Sequence, residues 1–453
     1  MRYHTYKPLL WKITYSFIAG FLLYLPFSKY ELWFLVLPAL MLLFALREAR
    51  LWFLSGSFFF FLSLRCASIA GVEFGGLHPI IFYILFMPFV LLLSLYQFYA
   101  PLKLWQMLAQ NKLWALPLMY ALFELLRSHF PYGGFPWLIL GSLSPYVPLI
   151  RDSLLYTNVY IHSLLLLYSA MLLLRRRLKT LFLIWLVFTT AGLFALIEKG
   201  ERIKGSESIR VALVQTAVPQ EEKLNRESFK KHAKDLLDLV EGATRMKVDL
   251  VVLPESALHF FYSEEEEDFN IRLRELSFFK PILVGLVDLR EGTKPYNSAY
   301  LLEKGMTLDY YDKTKLFPIG EYMPKPFGFV KDLFPALSGI DYTPGKRLKP
   351  IEYKNMKIAS PICFEIAYHD LTKKLSKQAD FIVVLTNDGW FGNSDCTHQH
   401  YLWARVRALE NGKYVLWVNN SGDTGYIDPY GKILEKMPYM KRGISQHEIK
   451  LLP

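Results

Sequence analysis

The stretch LVVLPES at residues 250–256 sets the pattern for the second half of this chain. Four apolar residues in a row predict a strand that is covered on both faces, and the proline after them ends the strand just before Glu255. The stretch IASPICFE at residues 358–365 has a similar form, with Cys363 beyond the apolar run. Catalytic groups of layered α/β folds lie just past strand ends. Each motif alone has an ordinary alternative, a surface glutamate or an inert core cysteine.

The region around these two motifs has the pattern of a layered α/β domain. From residue 209, short β-rich runs alternate with helical ones, and several strands are continuous apolar runs, which predicts a sheet covered on both sides. The predicted strands are 209–215, 250–253, 282–286, 298–302, 357–362, 381–386 and 414–419, and the predicted helices are 226–246, 265–278, 367–377 and 400–411.

The first half of the chain is strongly apolar and predicts a membrane domain. The whole chain is 53% hydrophobic and only 21% charged. A membrane core needs about 20 apolar helical residues, fewer where helices pack together. We predict about seven spans, at 13–27, 32–46, 51–64, 79–99, 113–123, 153–174 and 180–197. The charged residues 198–205 separate this domain, 1–198, from the second one, 206–453.

Basic residues predict the orientation of these spans. Lys and Arg concentrate in alternate loops, including Arg47, Arg50 and the segment 175–179, and cytoplasmic loops carry such an excess. The N-terminus is therefore predicted inside and residue 206 onward outside, on the periplasmic face of a bacterial inner membrane. A net charge of +11 is compatible with nucleic acid, but anchoring at lipid headgroups explains these positions better. No nucleic-acid partner is expected.

Two polar features of the membrane half have competing interpretations. Glu124 and Arg127 end the fifth apolar run, either as headgroup-level charges that reach toward water or as part of a lipid-facing wall below an active site. Cys66 lies in a span, and Cys396 lies in a polar loop with no recognised partner. Three cysteines at such separations predict neither a disulfide framework nor a metal cluster, so no metal or other cofactor is expected.

A third motif, YYDKTKLFPIGEY at 310–322, completes a specific combination. Alone, it would be a solvated Lys-rich loop. The order Pro-Glu, then Lys-x-x-Leu-x-Pro-x-Gly-Glu, then Cys-x-Glu resembles the nitrilase superfamily of carbon–nitrogen hydrolases. That resemblance implies an α-β-β-α sandwich and a catalytic triad in which Glu255 is the general base, Lys313 stabilises the tetrahedral intermediate and Cys363 is the nucleophile.

The chemistry of these three residue types agrees with the resemblance. A thiol must become a thiolate to attack a carbonyl, and a nearby carboxylate can accept its proton. A fixed ammonium stabilises the oxyanion, helped by the backbone N–H after Cys363. Glu321 and Glu365 are candidate supporting carboxylates that orient Lys313 and, through the charge of Lys313, keep the thiolate favourable. For Glu365 a solvated or salt-bridged surface role is the alternative.

A multi-span membrane half joined to this triad resembles one branch of the superfamily, the apolipoprotein N-acyltransferases. The stretches NDGWFG at 387–392, HQH at 398–400 and ARVRALE at 404–410 look like that family's lid and following helix. Trp390 and Phe391 are then candidates for an apolar cover over acyl chains, although such residues alone are more often core aromatics. Phe364, where tyrosine is frequent, and Asn297 are further candidate substrate-binding residues. Members often carry a final membrane span, and no apolar run follows residue 431.

The resemblance implies a two-step acyl transfer in the membrane. Cys363 takes an acyl chain from a phospholipid such as phosphatidylethanolamine, and the α-amine of an S-diacylglyceryl cysteine at the N-terminus of an apolipoprotein then accepts it. One alternative is a membrane-anchored amidase or nitrilase that uses water as acceptor. Another is a transporter or non-catalytic scaffold, which the few charges in the spans and the intact triad weaken.

Overall fold

The structure, a computed structural model, describes residues 6–109, 112–223, 225–257, 267–290, 294–325, 328 and 341–452. The chain forms two compact units. The first comprises Met1–Ala195 and Ser394–Leu402, and the second comprises Leu196–Asn393 and Trp403–Pro453. Residues 265 and 266 of one predicted helix lie outside the described residues.

The first unit is helical, as its apolar runs predict. Each of the seven predicted spans contains a helix. A turn of π-helix, Leu95–Tyr99, joins two of the helices into one continuous element. The helices are α1 (Tyr6–Tyr24), α2 (Val36–Ala45), α3 (Ala49–Leu64), α4 (Pro79–Ser94), α5 (Ala100–Leu108), α6 (Ala115–Arg127), α7 (Val159–Leu174) and α8 (Leu178–Lys204), the last of which continues into the second unit.

Among the residues that the structure describes, length and apolarity single out three helical segments that can cross a membrane: Leu9–Phe27, Pro79–Leu108 and Leu178–Lys204. Three shorter apolar helices, Trp33–Ala45, Ala49–Leu64 and Val159–Leu174, accompany them. The predicted span 153–174 is wrong as one continuous helix. A 3₁₀ turn, Arg151–Leu155, precedes it, and the Asn158 side chain caps α7 by accepting two backbone N–H groups.

Glu124 and Arg127 are buried inside the first unit, so both predicted interpretations of them are wrong. Glu124 Oε1 accepts a hydrogen bond from the backbone N–H of Leu140 at 3.0 Å. Arg127 donates to the carbonyl oxygens of Phe135 and Trp137, each at 2.8 Å. Buried charges are stable when such hydrogen bonds satisfy them. The pair fixes the segment 135–140 rather than facing water or lipid.

The second unit contains two six-stranded sheets. In the first the order is β12-β1-β2-β3-β4-β5, and in the second it is β11-β10-β9-β8-β7-β6. The strands are β1 (Ser208–Gln215), β2 (Leu250–Val252), β3 (Ile282–Arg290), β4 (Lys294–Glu303), β5 (Met306–Asp312), β6 (Ile351–Tyr353), β7 (Met356–Ala359), β8 (Phe381–Thr386), β9 (Val415–Asn419), β10 (Thr424–Ile427), β11 (Ile433–Met437) and β12 (Gly443–Lys450).

Further helices follow α8 along the chain. They are α9 (Gln220–Lys223), α10 (Phe229–Thr244), α11 (Glu267–Leu276), α12 (His369–Ser376) and α13 (Asp395–Asn411). Apolar residues of α10 and α11 form one core with the first sheet, and α12 packs against β7. Strand β1 packs against β9 of the opposite sheet. The predicted α-β-β-α sandwich is confirmed.

Five strands were not predicted: β5, β6, β10, β11 and β12. The central strands have apolar side chains on both faces, whereas these outer strands mix polar and apolar residues. In β12, Ser445, His447 and Ile449 are buried while Gln446 and Glu448 are exposed. A search for continuous apolar runs finds the first kind of strand and misses the second.

Cys66 and Cys396 form a disulfide within the first unit, across a sequence separation of 330 residues. The prediction that Cys396 lies in a loop without a partner is therefore wrong, because it belongs to the first turn of α13. Hydrogen bonds reinforce this link: Tyr24 donates to Asp395 at 2.7 Å, and Trp137 donates to Gln399 at 2.8 Å.

Candidate active site

Glu255 lies just past the end of β2, as predicted, in a position that depends on one glycine. The backbone N–H of Gly285 in β3 donates to the carbonyl of Pro254 at 3.2 Å. A Cβ added at Gly285 would lie 2.6 Å from the Cα of Glu255 and 2.6 Å from the carbonyl oxygen of Pro254. Only glycine permits this close approach. The Glu255 residue is 6% exposed.

Lys313 follows β5 and is buried between two carboxylates, so it is not part of a solvated loop. Its Nζ lies 2.7 Å from Glu321 Oε1 and 3.4 Å from Glu255 Oε1. Asn297 Nδ2 donates to the same two carboxylates, at 2.8 Å to Glu255 and 3.2 Å to Glu321. Burial alone would lower the pKa of Lys313, but the negative charges of Glu321 and Glu255 raise it well above its usual value. Lys313 is therefore a fixed cation.

Cys363 begins a 3₁₀ turn, Cys363–Ala367, and is partly exposed. The turn follows β7 and a bridge between Ile362 and Leu385 of β8. The backbone φ of Cys363 is +52°, in the left-handed region that non-glycine residues seldom adopt. Such backbone strain is concentrated at functional sites. Cys363 thus begins the turn directly after the bridged residue Ile362.

The charges around Cys363 keep it a thiol at rest. Burial raises its pKa well above the usual value, Glu255 raises it further, and Lys313 lowers it. The negative charge of Glu321 also raises the pKa of Cys363. That Glu321 favours the thiolate through the charge of Lys313 stays a prediction. A thiol of this kind needs a base at the moment of attack. Glu255 and Lys313 are both close enough to Cys363 for their charges to act on it.

Glu365 is fully buried and joins two parts of this site, which excludes a surface role. Its carboxylate accepts hydrogen bonds from the backbone N–H groups of Thr314 at 2.7 Å, Lys315 at 2.9 Å and Ile362 at 2.9 Å. The hydroxyl of Tyr311 donates to it at 3.0 Å. Glu365 thus ties the segment after Lys313 to the residue before Cys363.

The predicted substrate-binding residues differ in accessibility. Trp390 and Phe391 belong to a 3₁₀ turn after β8 and are partly exposed. Phe364 is 6% exposed. Its ring centroid lies 5.0 Å from that of Phe317 and 5.6 Å from that of Tyr368. It packs among aromatic rings beside the site.

Two buried charged residues in this region were not among the predicted site residues. Asp388 is 1% exposed, and its charge raises the pKa of Cys363. Lys223, in α9, is 8% exposed and interacts electrostatically with Glu255. Asp388 comes just after the predicted strand 381–386, so the strand-end rule points to it. Lys223 lies further from the end of the predicted strand 209–215, and no local signal in the sequence marks it.

Comparison with known proteins matches both halves of the chain. Residues 210–452 match the carbon-nitrogen hydrolase family, and residues 19–172 match the apolipoprotein N-acyltransferase N-terminal domain. An apolipoprotein N-acyltransferase of Aquifex aeolicus (strain VF5) is 40% identical over 427 residues, which cover 94% of this chain and 96% of the relative. The one from Pasteurella multocida (strain Pm70) is 28% identical over 488 residues, covering 98% and 91%.

Among solved structures, an amidase of the nitrilase superfamily from Nesterenkonia AN1 aligns with 55% of this chain and 92% of its own. The identity is 18% and the TM-score is 0.41. The sequence matches place an apolipoprotein N-acyltransferase N-terminal domain before a carbon-nitrogen hydrolase domain, and the two relatives align along nearly the full length of this chain. This chain belongs to the apolipoprotein N-acyltransferase family.

Proposed function

We propose that this protein transfers an acyl chain from a phospholipid, through a thioester on Cys363, to the α-amine of S-diacylglyceryl cysteine at the N-terminus of an apolipoprotein. Family membership supports the reaction. The observation that carries the residue assignment is the position of buried Lys313, held by Glu321 and Glu255 and acting electrostatically on Cys363. Glu255, Lys313 and Cys363 are the proposed catalytic residues.

In the first step Cys363 attacks the ester carbonyl of the phospholipid. Because the thiol is protonated at rest, Glu255 accepts its proton as the C–S bond forms. The Lys313 ammonium stabilises the oxyanion that develops on the carbonyl. The ester C–O bond then breaks, the proton passes from Glu255 to the departing glycerol oxygen, and a lysophospholipid leaves the thioester behind.

In the second step the acceptor amine attacks the thioester. A C–N bond forms, the C–S bond breaks, and Glu255 carries the amine proton back to the sulfur of Cys363. Glu321 positions Lys313, whose ammonium donates to it. Asn297 positions Glu255, because its amide donates to the Glu255 carboxylate. Glu365 positions the turn that presents Cys363.

The remaining assignments concern the lipid. Trp390 and Phe391 form an apolar cover for the acyl chain. Phe364, the residue that follows Cys363, is a further substrate-binding residue. Phosphatidylethanolamine is the proposed donor. Both substrates are membrane-bound, so tethering the catalytic domain, 206–453, to a membrane domain, 1–198, raises the effective concentration of each.

The disulfide supports the proposed orientation. Disulfides persist in oxidising compartments such as the periplasm. Cys66 follows α3, which in the predicted topology ends on the outer side, and Cys396 belongs to the half predicted outside. A bond between them requires both on the same side. This favours an inner-membrane protein with its catalytic domain on the periplasmic face.

The direct test is to look for the acyl-enzyme. The purified protein is incubated with phosphatidylethanolamine alone and Cys363 is analysed by mass spectrometry for a hydroxylamine-sensitive acyl group. The thioester is expected in the parent and absent in Cys363→Ala, with transfer after addition of a diacylglyceryl peptide. Turnover by the alanine variant, or release of free fatty acid in place of the acylated peptide, would contradict the proposal.

A further inference from the structure

Lys223 is a buried cation near the site, and the proposed mechanism does not use it. Its residue is 8% exposed. Within the part of the chain that the structure describes, its Nζ has no hydrogen-bond partner. Leaving an ammonium buried and unpaired is costly. A position of this kind is stable and useful when a ligand supplies the missing negative charge.

The local structure holds Lys223 at the edge where the site lies. Strand β1 ends at Gln215, and the segment after it is tied to the end of β9, where Ala217 N–H donates to the Asn420 carbonyl at 2.7 Å. Asn387 Nδ2, just after β8, donates to Gln220 Oε1 in α9 at 3.1 Å. Helix α9 is thus fixed beside the turn that carries Trp390.

The charged surroundings of Lys223 leave its ammonium available. Glu255 is close enough for its charge to act on Lys223. Glu222, the preceding residue, faces His232 instead, with 2.9 Å between Oε2 and Nε2. Burial lowers the pKa of Lys223 to about 8, and the charge of Glu255 opposes that shift.

An anionic substrate needs a second cation in this site. The charged groups that act on Cys363 include three carboxylates, Glu255, Glu321 and Asp388, but one cation, Lys313. A phospholipid donor carries a phosphate diester on the same glycerol unit as the ester that Cys363 attacks. Without a further positive charge, the carboxylates would repel that phosphate.

We propose that Lys223 binds the phosphate diester of the acyl donor and so selects phospholipids over neutral acyl esters. This inference rests on the proposed function and adds a specificity residue to it. The ammonium form binds the anion, so donor affinity is expected to fall as pH rises above about 8. Arginine keeps its charge throughout this range.

The test compares two acyl donors in the full-length protein. Acyl-enzyme formation is measured with phosphatidylethanolamine and with a p-nitrophenyl acyl ester, which has no phosphate. Lys223→Met should raise the KM for phosphatidylethanolamine by about tenfold to a hundredfold, as loss of a charge-assisted hydrogen bond does. Acylation by the ester should stay within about twofold, which also shows that the variant folds.

Lys223→Arg serves as the second variant. It should retain phospholipid affinity and lose the rise in KM above pH 8 that the parent shows. An equal loss with both donors would overturn the proposal, because Lys223 would then act on the chemistry through Glu255. Unchanged KM for phosphatidylethanolamine in Lys223→Met would overturn it as well.

Inorganic phosphate separates a lipid phosphate from a free one. Millimolar phosphate should leave ester acylation of the parent unchanged, since it lacks the lipid part that anchors the donor. Inhibition that Lys223→Met abolishes would identify a free-phosphate site and contradict the proposal. If the parent forms no acyl-enzyme from phospholipid, the proposed function fails; if the parent does so and Lys223→Met does so equally well, this inference alone fails.

Discussion

Lys313 Nζ lies closer to Glu321, at 2.7 Å, than to Glu255, at 3.4 Å. Glu321 is therefore the main partner of the ammonium. Glu255 interacts with the ammonium more weakly, so its carboxylate can accept a proton. We therefore expect the two carboxylates to have different roles, even though they share the same cation and the same asparagine.

Glu321→Gln should slow acyl-enzyme formation less than Glu255→Gln does. Loss of Glu321 weakens the hold on Lys313 but leaves the cation, whereas loss of Glu255 removes the proposed base. We expect the rate of acyl-enzyme formation to fall about tenfold in Glu321→Gln and about a hundredfold or more in Glu255→Gln, which is the range seen when one general base or electrostatic stabiliser is removed. Rates are measured by intact-protein mass spectrometry, with exposed Glu352→Gln as the control. Equal rates in Glu255→Gln and the parent would remove Glu255 as the base.

Thiol alkylation should respond to the two partners of Cys363 with opposite signs. Glu255 raises the pKa of Cys363 and Lys313 lowers it. Glu255→Gln should therefore speed alkylation by iodoacetamide at neutral pH, and Lys313→Met should slow it, although both variants lose acyl-enzyme formation. The measurement is the alkylation rate between pH 6 and 10. A shift of the same sign in both variants would contradict the charge assignment.

Gly285→Ala should impair both stability and chemistry. The added methyl would lie 2.6 Å from the Cα of Glu255, and overpacking of this kind costs about 1–3 kcal/mol. A lower Tm and at least about a tenfold slower acylation are expected. Gly242→Ala in α10 is the matched control, since a Cβ added there would lie 3.5 Å from its nearest neighbour, a side-chain carbon of Ile444, and alanine favours a helix. Its Tm should stay level or rise; an unchanged Tm in Gly285→Ala would show that β3 can move aside.

Trp390→Ala should separate lipid handling from thiol chemistry. If Trp390 covers the acyl chain, the variant keeps the reactivity of Cys363 toward a small thiol reagent and loses transfer from phospholipid. Phe279→Ala, which removes another aromatic of the second unit that is 70% exposed, should change neither. Normal lipid transfer by Trp390→Ala would leave Trp390 as a packing residue.

Cys66→Ser, Cys396→Ser and the double variant should lose stability by the same amount, because each removes the same disulfide. A loss of about 2–4 kcal/mol is typical of a disulfide and would lower the Tm of all three alike. Alkylation without reductant should label Cys363 only, and alkylation after reduction should label all three cysteines. Three labelled cysteines in the unreduced protein would rule the disulfide out.

Sequence alone predicted the elements that local chemistry controls. Apolar runs predicted the helices of the first unit and the central strands of the sandwich, because hydrophobic periodicity is a property of neighbouring residues in the sequence. The order of three short motifs, with the family resemblance, predicted that Glu255, Lys313 and Cys363 share a site. In the structure Lys313 lies 3.4 Å from Glu255, and the charges of both residues act on Cys363.

Tertiary structure alone decided the features that depend on distant residues. Three features join segments that are far apart in the chain: the Cys66–Cys396 disulfide, the close approach of Gly285 to Glu255, and the hydrogen bonds that hold Glu365 between two loops. Lys223 is an ordinary lysine in sequence and becomes notable only because folding buries its ammonium near Glu255. Burial and charge neighbourhood arise from the packing of the whole chain, and no local pattern encodes them.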